Sequence, residues 1–299
     1  MTSHNREKYI TEAIQSVLSS TFTDFEFIIC DDCSTDNTYN IEQEFAAHDP
    51  RIRLFRNNKQ IGDFPNRDLA ASYASGAYLK YVDSDDMISP DALKIMVETM
   101  LQYPGSPLGL SQIANKLNDV RLCPQLISPE QAYLEHYFGY GTLRYGPTGA
   151  IIKKDILEEM GGFGRNRYVG DTELWLRVVA RYPMVKIRPG LVVWRRHSGQ
   201  EFYRGTQFGE YVRRAYPVYI SSLKSPECPI EKNDVEHIVR RLQWKHARDI
   251  LSVAFKRLRL KTAYHIYRES NLKFIHLLKG LIPYRFVRNQ FIQKKSIVR

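Results

Sequence analysis

No stretch of the chain approaches the roughly 18 uninterrupted apolar residues that a membrane-spanning helix needs. Met1-Thr-Ser-His-Asn-Arg6 has none of the apolar core of a secretory signal peptide. Cysteine is scarce, and Cys30, Cys33, Cys123 and Cys228 cannot build a disulfide framework in 299 residues. Cys30 and Cys33 have C-x-x-C spacing, but one pair without a second pair or a His cluster is a poor zinc site. There is no glycine-rich, Lys-bearing phosphate loop, no internal repeat and no low-complexity segment. With 43% hydrophobic and 25% charged side chains, wholesale disorder is excluded as well. These absences point to a globular protein of the cytosol or of the inner face of the cytoplasmic membrane.

Charge is present but unevenly spread. Lys and Arg total 43 against 33 Asp and Glu, a net of +10. Residues 231–299 alone hold 17 basic and 5 acidic residues, so everything before them is close to neutral. A basic, aromatic-rich tail on a near-neutral body suits an anionic surface, either phospholipid or nucleic acid. It equally suits a solvated helical face.

Apolar residues at Tyr9, Ile10, Ala13, Ile14, Val17 and Leu18 recur at helical spacing, which predicts a helix over Arg6 to Ser20. Phe25 to Cys30 and Ala77 to Val82 read as buried strands, and both stop abruptly at acids. Further helices are expected at Asn37–Ala47, Pro65–Ser75, Pro90–Gln102 and Asp171–Tyr182, and strands at Ile52–Phe55 and Ala150–Ile152. Val185 to Trp194 reads as two short extended pieces around Pro189-Gly190, and beyond Tyr203 the pattern is almost wholly helical. Strands alternating with helices imply right-handed crossovers and a mostly parallel sheet. Ligands of such sheets bind beyond the carboxyl ends of the strands, where both acidic clusters fall.

Asp83, Asp85 and Asp86 place three carboxylates in four residues. Their mutual repulsion calls for a hard cation such as Mg²⁺ or Mn²⁺, unless the cluster is a solvated acidic turn. Asp31 and Asp32 either cap the following turn, with Ser34, Thr35 and Asp36, or accept hydrogen bonds from a nucleotide.

Four ordered segments carry a resemblance. They are Met1-Thr-Ser-His-Asn-Arg6 with Asp31-Asp32-Cys-Ser34, then Asp83-Ser-Asp-Asp86, then Gly170-Asp-Thr-Glu-Leu-Trp-Leu-Arg177, and Arg196-His197-Ser198-Gly199-Gln200. Together they resemble a family 2 glycosyltransferase over roughly Met1 to Gln200. The resemblance implies an α/β fold of the GT-A type, a nucleotide-diphospho-sugar transferase domain at 1–202, and a basic helical extension at 203–299. By the same resemblance, Thr2, His4, Asp31, Asp32, Arg67, Asp83 and Asp85 would contact the nucleotide-sugar. Asp85, Asp86 and His197 would hold Mn²⁺ or Mg²⁺, although His197 can also be read as a polar loop residue beside Arg195 and Arg196. Asp171 would be the general base, with Glu173 the weaker candidate.

The chemistry is coherent by itself. Sugar transfer needs a neutralised diphosphate leaving group and a deprotonated acceptor hydroxyl, and one base without a protein nucleophile implies inversion. The expected activity is transfer from a nucleotide-sugar, UDP-linked by preference, to a glycan or lipid-linked acceptor in cell-surface polysaccharide synthesis. The competing readings are a metal-dependent nucleotidyltransferase and a basic nucleic-acid-binding protein. Two departures stand out: Gly170 replaces a common acid, and no apolar strand precedes Thr2-Ser3-His4-Asn5. The second leads to the expectation that the natural protein starts several residues upstream. Side chains between Leu108 and Tyr145, where donor and acceptor choice should reside, carry no readable signature.

Overall fold

Ile10, Ala13, Ile14 and Val17 are buried along one side of helix α1 (Ile10–Leu18), as their spacing requires. The computed structural model describes residues 1–111, 123–139 and 141–282. These divide into one unit of Met1–Pro129 with Leu143–Arg196, and a second of Glu130–Thr142 with His197–Arg299.

The first unit opens with β1 (Thr2–Ser3), β2 (Phe27–Asp31) and β3 (Ile52–Arg56), paired parallel in the order β1-β2-β3. Every residue of β2 is buried, the pattern of a strand covered on both faces. The pairing continues at Met1, whose amine donates to the Ile28 carbonyl at 2.7 Å and whose carbonyl accepts the Cys30 N–H at 3.0 Å. Helix α2 (Thr38–His48) connects β2 to β3, and α3 (Asp63–Ser72) leads to β4 (Tyr78–Lys80). A single parallel bridge, Thr2 to Asp83, joins β1 to the chain just past β4.

The rest of this unit comprises β5 (Met87–Ile88), α4 (Ala92–Gln102), β6 (Leu108–Ser111), β7 (Gln125–Ile127), β8 (Ala150–Lys153), α6 (Lys154–Glu159), α7 (Gly170–Arg181), β9 (Met184–Ile187) and β10 (Val192–Val193). Five of its strands form a mixed sheet in the order β4-β8-β6-β9-β7, in which only β6 and β9 run parallel. The parallel pattern expected from alternation thus describes β1 to β3, and the later strands add antiparallel pairs. β10 pairs antiparallel with β5, bringing residues near 195 back to the acidic turn. The core between sheet and helices is built from Ile10, Ile14, Ile29, Met96, Met100 and their neighbours.

The second unit is helical: α5 (Pro129–Phe138), α8 (Glu201–Phe208), α9 (Glu210–Lys224), α10 (Lys232–Phe255), α11 (Leu260–Glu269) and α12 (Phe274–Gly280). Its α5 lies between β7 and β8 in the chain, inside the Leu108–Tyr145 stretch. The Tyr137 hydroxyl bonds Ser222 at 2.6 Å, and Arg241 donates to the Tyr137 carbonyl at 2.9 Å, so α5 is tied to α9 and α10. Among the described residues no helix is long and apolar enough to cross a membrane. Residues 283–299 of the basic tail lie outside the described residues.

Candidate active site

The carboxyl end of β2 delivers both members of the first acidic pair. Asp31 is fully buried; its Oδ1 accepts the Ser34 N–H at 3.0 Å and lies 3.3 Å from Arg56 Nε. That is the turn-capping geometry, and it turns the side chain into the protein. Asp32 is also buried and accepts three hydrogen bonds, each 2.8 Å, from Asn57 Nδ2 and from the N–H groups of Ile61 and Gly62. It therefore holds the loop that leads into α3. Gly62 caps that helix at φ +96°, a conformation a side chain would strain. His4 Nδ1 lies 2.9 Å from the Asp32 carbonyl oxygen, and Thr2 is buried in β1.

The second cluster sits one strand away. Arg67 of α3 is buried and donates to Asp83 at 2.7 Å and to Asp63, one helical turn back, at 3.0 Å. Burial opposes its charge, but Asp63 and Asp83 more than offset this and raise its pKa further. Asp85 pairs with Arg6 at 3.2 Å, and its carbonyl accepts Arg195 Nε at 2.6 Å. The Arg195 N–H reaches Asp86 at 3.3 Å, and its guanidinium also bonds the Tyr9 carbonyl and Glu12. Asp86 is buried; burial first, then Asp83 and Asp85, push its carboxyl well above the usual range.

Asp171 stands at the first turn of α7, half-buried, its Oδ1 accepting the Thr172 N–H at 2.6 Å. Burial pushes its pKa up to about 7; Arg67 acts against the shift, while Asp63 and Asp83 add to it. Asp171 thus shares one electrostatic neighbourhood with the Arg67–Asp83 pair. Glu173 is turned to Asn166 Nδ2 at 2.5 Å. Aromatic packing explains why these elements meet. Phe163 is fully buried and packs on Phe64 of α3 at 5.3 Å, Tyr81 after β4 at 5.2 Å and Trp175 of α7 at 5.9 Å. A Cβ on Gly170 would lie 2.7 Å from the Phe64 ring, so the glycine admits the close approach of α7 to α3.

Several contributors escaped sequence reasoning. Thr148, in the turn Pro147–Gly149 before β8, accepts the Asp83 N–H at 3.0 Å through its hydroxyl, which also bonds Asp86. The Lys80 ammonium donates to the carbonyls of Tyr81, at 2.7 Å, and Thr148. Burial lowers its pKa to about 7 against the pull of Asp83 and Asp86. Thr148 lies just before the strand expected at Ala150–Ile152, and nothing in the sequence links it to a cluster 65 residues earlier. His197 belongs to the second unit, where its N–H donates to Gln200 Oε1 at 3.2 Å.

Among the described residues no group of three or more His, Cys, Asp or Glu is arranged to hold a metal ion by itself. Asp83 is engaged by Arg67 and Asp85 by Arg6, so a divalent ion bound by the Asp85 and Asp86 oxygens would take the place of the Arg6 contact. Such a pair fits a divalent ion whose remaining positions are taken by phosphate and water.

The model of the family described as "Glycosyl transferase family 2" matches residues 1–161. The UDP-Glc:α-D-GlcNAc-diphosphoundecaprenol β-1,3-glucosyltransferase WfgD of Escherichia coli is 38% identical over 102 residues, 34% of this chain and 40% of that protein. The chain spans less than two thirds of the length of most curated relatives it matches. S. aureus TarS 1-349 in complex with UDP-GlcNAc superposes with a TM-score of 0.67 at 16% identity, over 97% of this chain and 86% of that one. The mannosyltransferase PcManGT of Pyrobaculum calidifontis, in complex with GDP-Man and Mn²⁺, gives a TM-score of 0.62 at 15% identity over 97% and 82%. The fold is that of the nucleotide-sugar transferases, and the chain belongs to glycosyl transferase family 2.

Proposed function

We propose that the protein transfers a sugar from a UDP-sugar to a hydroxyl of a glycan or lipid-linked acceptor, with inversion, in the synthesis of a cell-surface polysaccharide. One arrangement carries this reading: Asp171, at the first turn of α7, shares the electrostatic surroundings of the Arg67–Asp83 ion pair past the ends of the strands, and burial raises its pKa to about 7. A base of that pKa accepts a proton near pH 7 without holding it too firmly.

Asp171 takes the acceptor hydroxyl's proton as that oxygen bonds to the anomeric carbon, while the bond from that carbon to the diphosphate oxygen breaks. Arg67 supplies fixed positive charge toward the departing diphosphate. Thr2, His4 and Asp32 form the wall for the nucleoside, with Asp31 shaping it through the Ser34 turn. Asp83 orients Arg67, and Asp85 lies near the ribose side. A divalent ion held by Asp85 and Asp86 would neutralise the leaving group. The choice of uridine rests on the donors named for WfgD and TarS, the mannosyltransferase's GDP-Man being the competing case. The undecaprenol-linked acceptor named for WfgD supports an acceptor at the inner face of the cytoplasmic membrane.

Thermal-shift measurements with UDP, GDP and their sugars, each with and without Mn²⁺, test the reading. A stabilisation confined to uridine ligands and enhanced by Mn²⁺ is expected. Stabilisation by GDP alone would reassign the donor, and none by any nucleotide diphosphate would remove the proposal.

A further inference from the structure

Among the described residues, twelve of the fifteen exposed large apolar side chains lie in the second unit, which holds well under half of the chain. Five of them lie at or beside one corner. The corner between α10 and α11 exposes Phe255 at 66%, Leu258 at 84% and Leu260 at 65%, with Tyr264 one turn further along α11. The end of α8 joins the same corner. Arg257 donates to the Thr206 carbonyl, and the Arg259 guanidinium lies 4.3 Å over the Phe208 ring, itself exposed. Leu258 has φ +52°, so a branched apolar residue occupies a left-handed position at a fully open tip. Folding stability accounts for neither feature. The opposite side of α11 buries Ala263 and Ile266, so packing is already provided for.

The charges around the corner are of one sign. Between Asp249 and Glu269 the chain carries Lys256, Arg257, Arg259, Lys261 and Arg268 and no acid. Two acids of the adjoining helices are already paired, Glu269 with Arg213 at 2.6 Å and Glu210 with Arg214 at 2.9 Å. An exposed corner whose apolar side chains are interleaved in sequence with Lys and Arg suits the headgroup boundary of a bilayer. The apolar ends enter the acyl edge while the long basic side chains reach back to anionic phosphates.

We propose that the α10–α11 corner, with the end of α8, is the surface by which the protein docks on an anionic phospholipid bilayer. The inference takes its setting from the membrane-face reading above and gives that reading a defined contact. Each base held near an anionic surface strengthens binding roughly fivefold, and the apolar tips multiply that gain.

Flotation of the full chain with phosphatidylcholine vesicles, alone and with about one third phosphatidylglycerol, tests it. Binding is expected only to the anionic vesicles, weakened by salt. The double variant Phe255→Ser, Leu258→Asn should lose more than tenfold in partitioning, and so should Lys256→Glu, Lys261→Glu. All four positions are exposed, and Asn accepts a left-handed backbone better than Leu, so both variants should fold. The thermal shift by the donor nucleotide, measured on the same preparations, should be unchanged; its loss in every protein would count against the transferase reading alone. Absence of wild-type binding, equal binding to neutral vesicles, or undiminished binding by both variants would overturn the proposal. So would a variant whose only change is loss of self-association by light scattering, which would make the corner a contact between copies.

Discussion

The hydroxyl of Thr148 accepts the backbone N–H of Asp83 at 3.0 Å, across 65 residues of sequence. The same hydroxyl bonds the Asp86 carboxylate, so one buried side chain sets the spacing of the two ends of the acidic turn. Thr148→Val keeps the shape and removes both bonds. An unpaired buried N–H costs about 1–3 kcal/mol, so a loss of stability of that order, seen as a lower melting temperature, is expected. Donor KM should rise with it, since the turn is freed to shift, whereas Thr148→Ser should restore both values. Paired melting curves and steady-state kinetics for the two variants give the comparison.

Arg67 couples the acidic turn to the base. Replacing it by Met leaves Asp63 and Asp83 without their common partner. Both acids are partly exposed, so the loss should lie at the low end of the roughly 3–5 kcal/mol for breaking a buried pair. Arg67 also lowers the pKa of Asp171, so its removal should move the acid limb of the rate profile to higher pH. A kcat/KM profile that loses amplitude without moving would show that the two groups do not interact.

Asp171 should matter for turnover and little for donor binding. Asp171→Asn is expected to lose roughly 10²–10⁴ in kcat, the usual worth of a general base, with the donor's thermal shift retained. The wild-type kcat/KM should fall as pH drops below about 7, because the base works only when deprotonated. The variant's residual activity should lack that limb. Weak donor binding with normal turnover would return Asp171 to a structural role.

The elements that mark the site were legible because apolar runs stop at acids: β2 ends at Asp31 and β4 is followed by Asp83. The helical spacing of α1 and α7 was equally plain, to within a few residues at each end. What stayed hidden depends on pairs far apart in sequence. Thr148 is an ordinary turn residue until β8 lies beside β4, and Gly170 looks like a missing acid until Phe64 is seen against it. The antiparallel pairs of the mixed sheet leave no mark in local periodicity. Glu42 is the sharpest case. In α2 the apolar residues Ile41 and Phe45 suggest the inward face, yet Thr38 and Glu42 are the buried pair.

That burial carries its own consequence. Glu42 is fully buried near Ser3, and neither oxygen of its carboxyl group has a hydrogen-bond partner among the described residues. Burial raises its pKa from 4.5 to about 8, Ser3 opposes the shift, and Asp31 adds to it. The folded state therefore holds a proton that the unfolded chain has released anywhere between those two values. Where the folded state binds more protons, stability falls as pH rises, by up to about 1.4 kcal/mol per pH unit for one group. The loss should run from about pH 4.5 to about 8 and then level off. The Met1 amine, lowered to about 5 by burial and Arg67, titrates across part of that range with the opposite sign. The informative quantity is thus the difference between wild type and Glu42→Gln. Gln mimics the protonated acid in size and hydrogen bonding but cannot ionise. The variant should match the wild type near pH 5 and exceed it progressively toward pH 8, in chemical denaturation at each pH. A difference that stays constant over this range would mean that Glu42 does not titrate there.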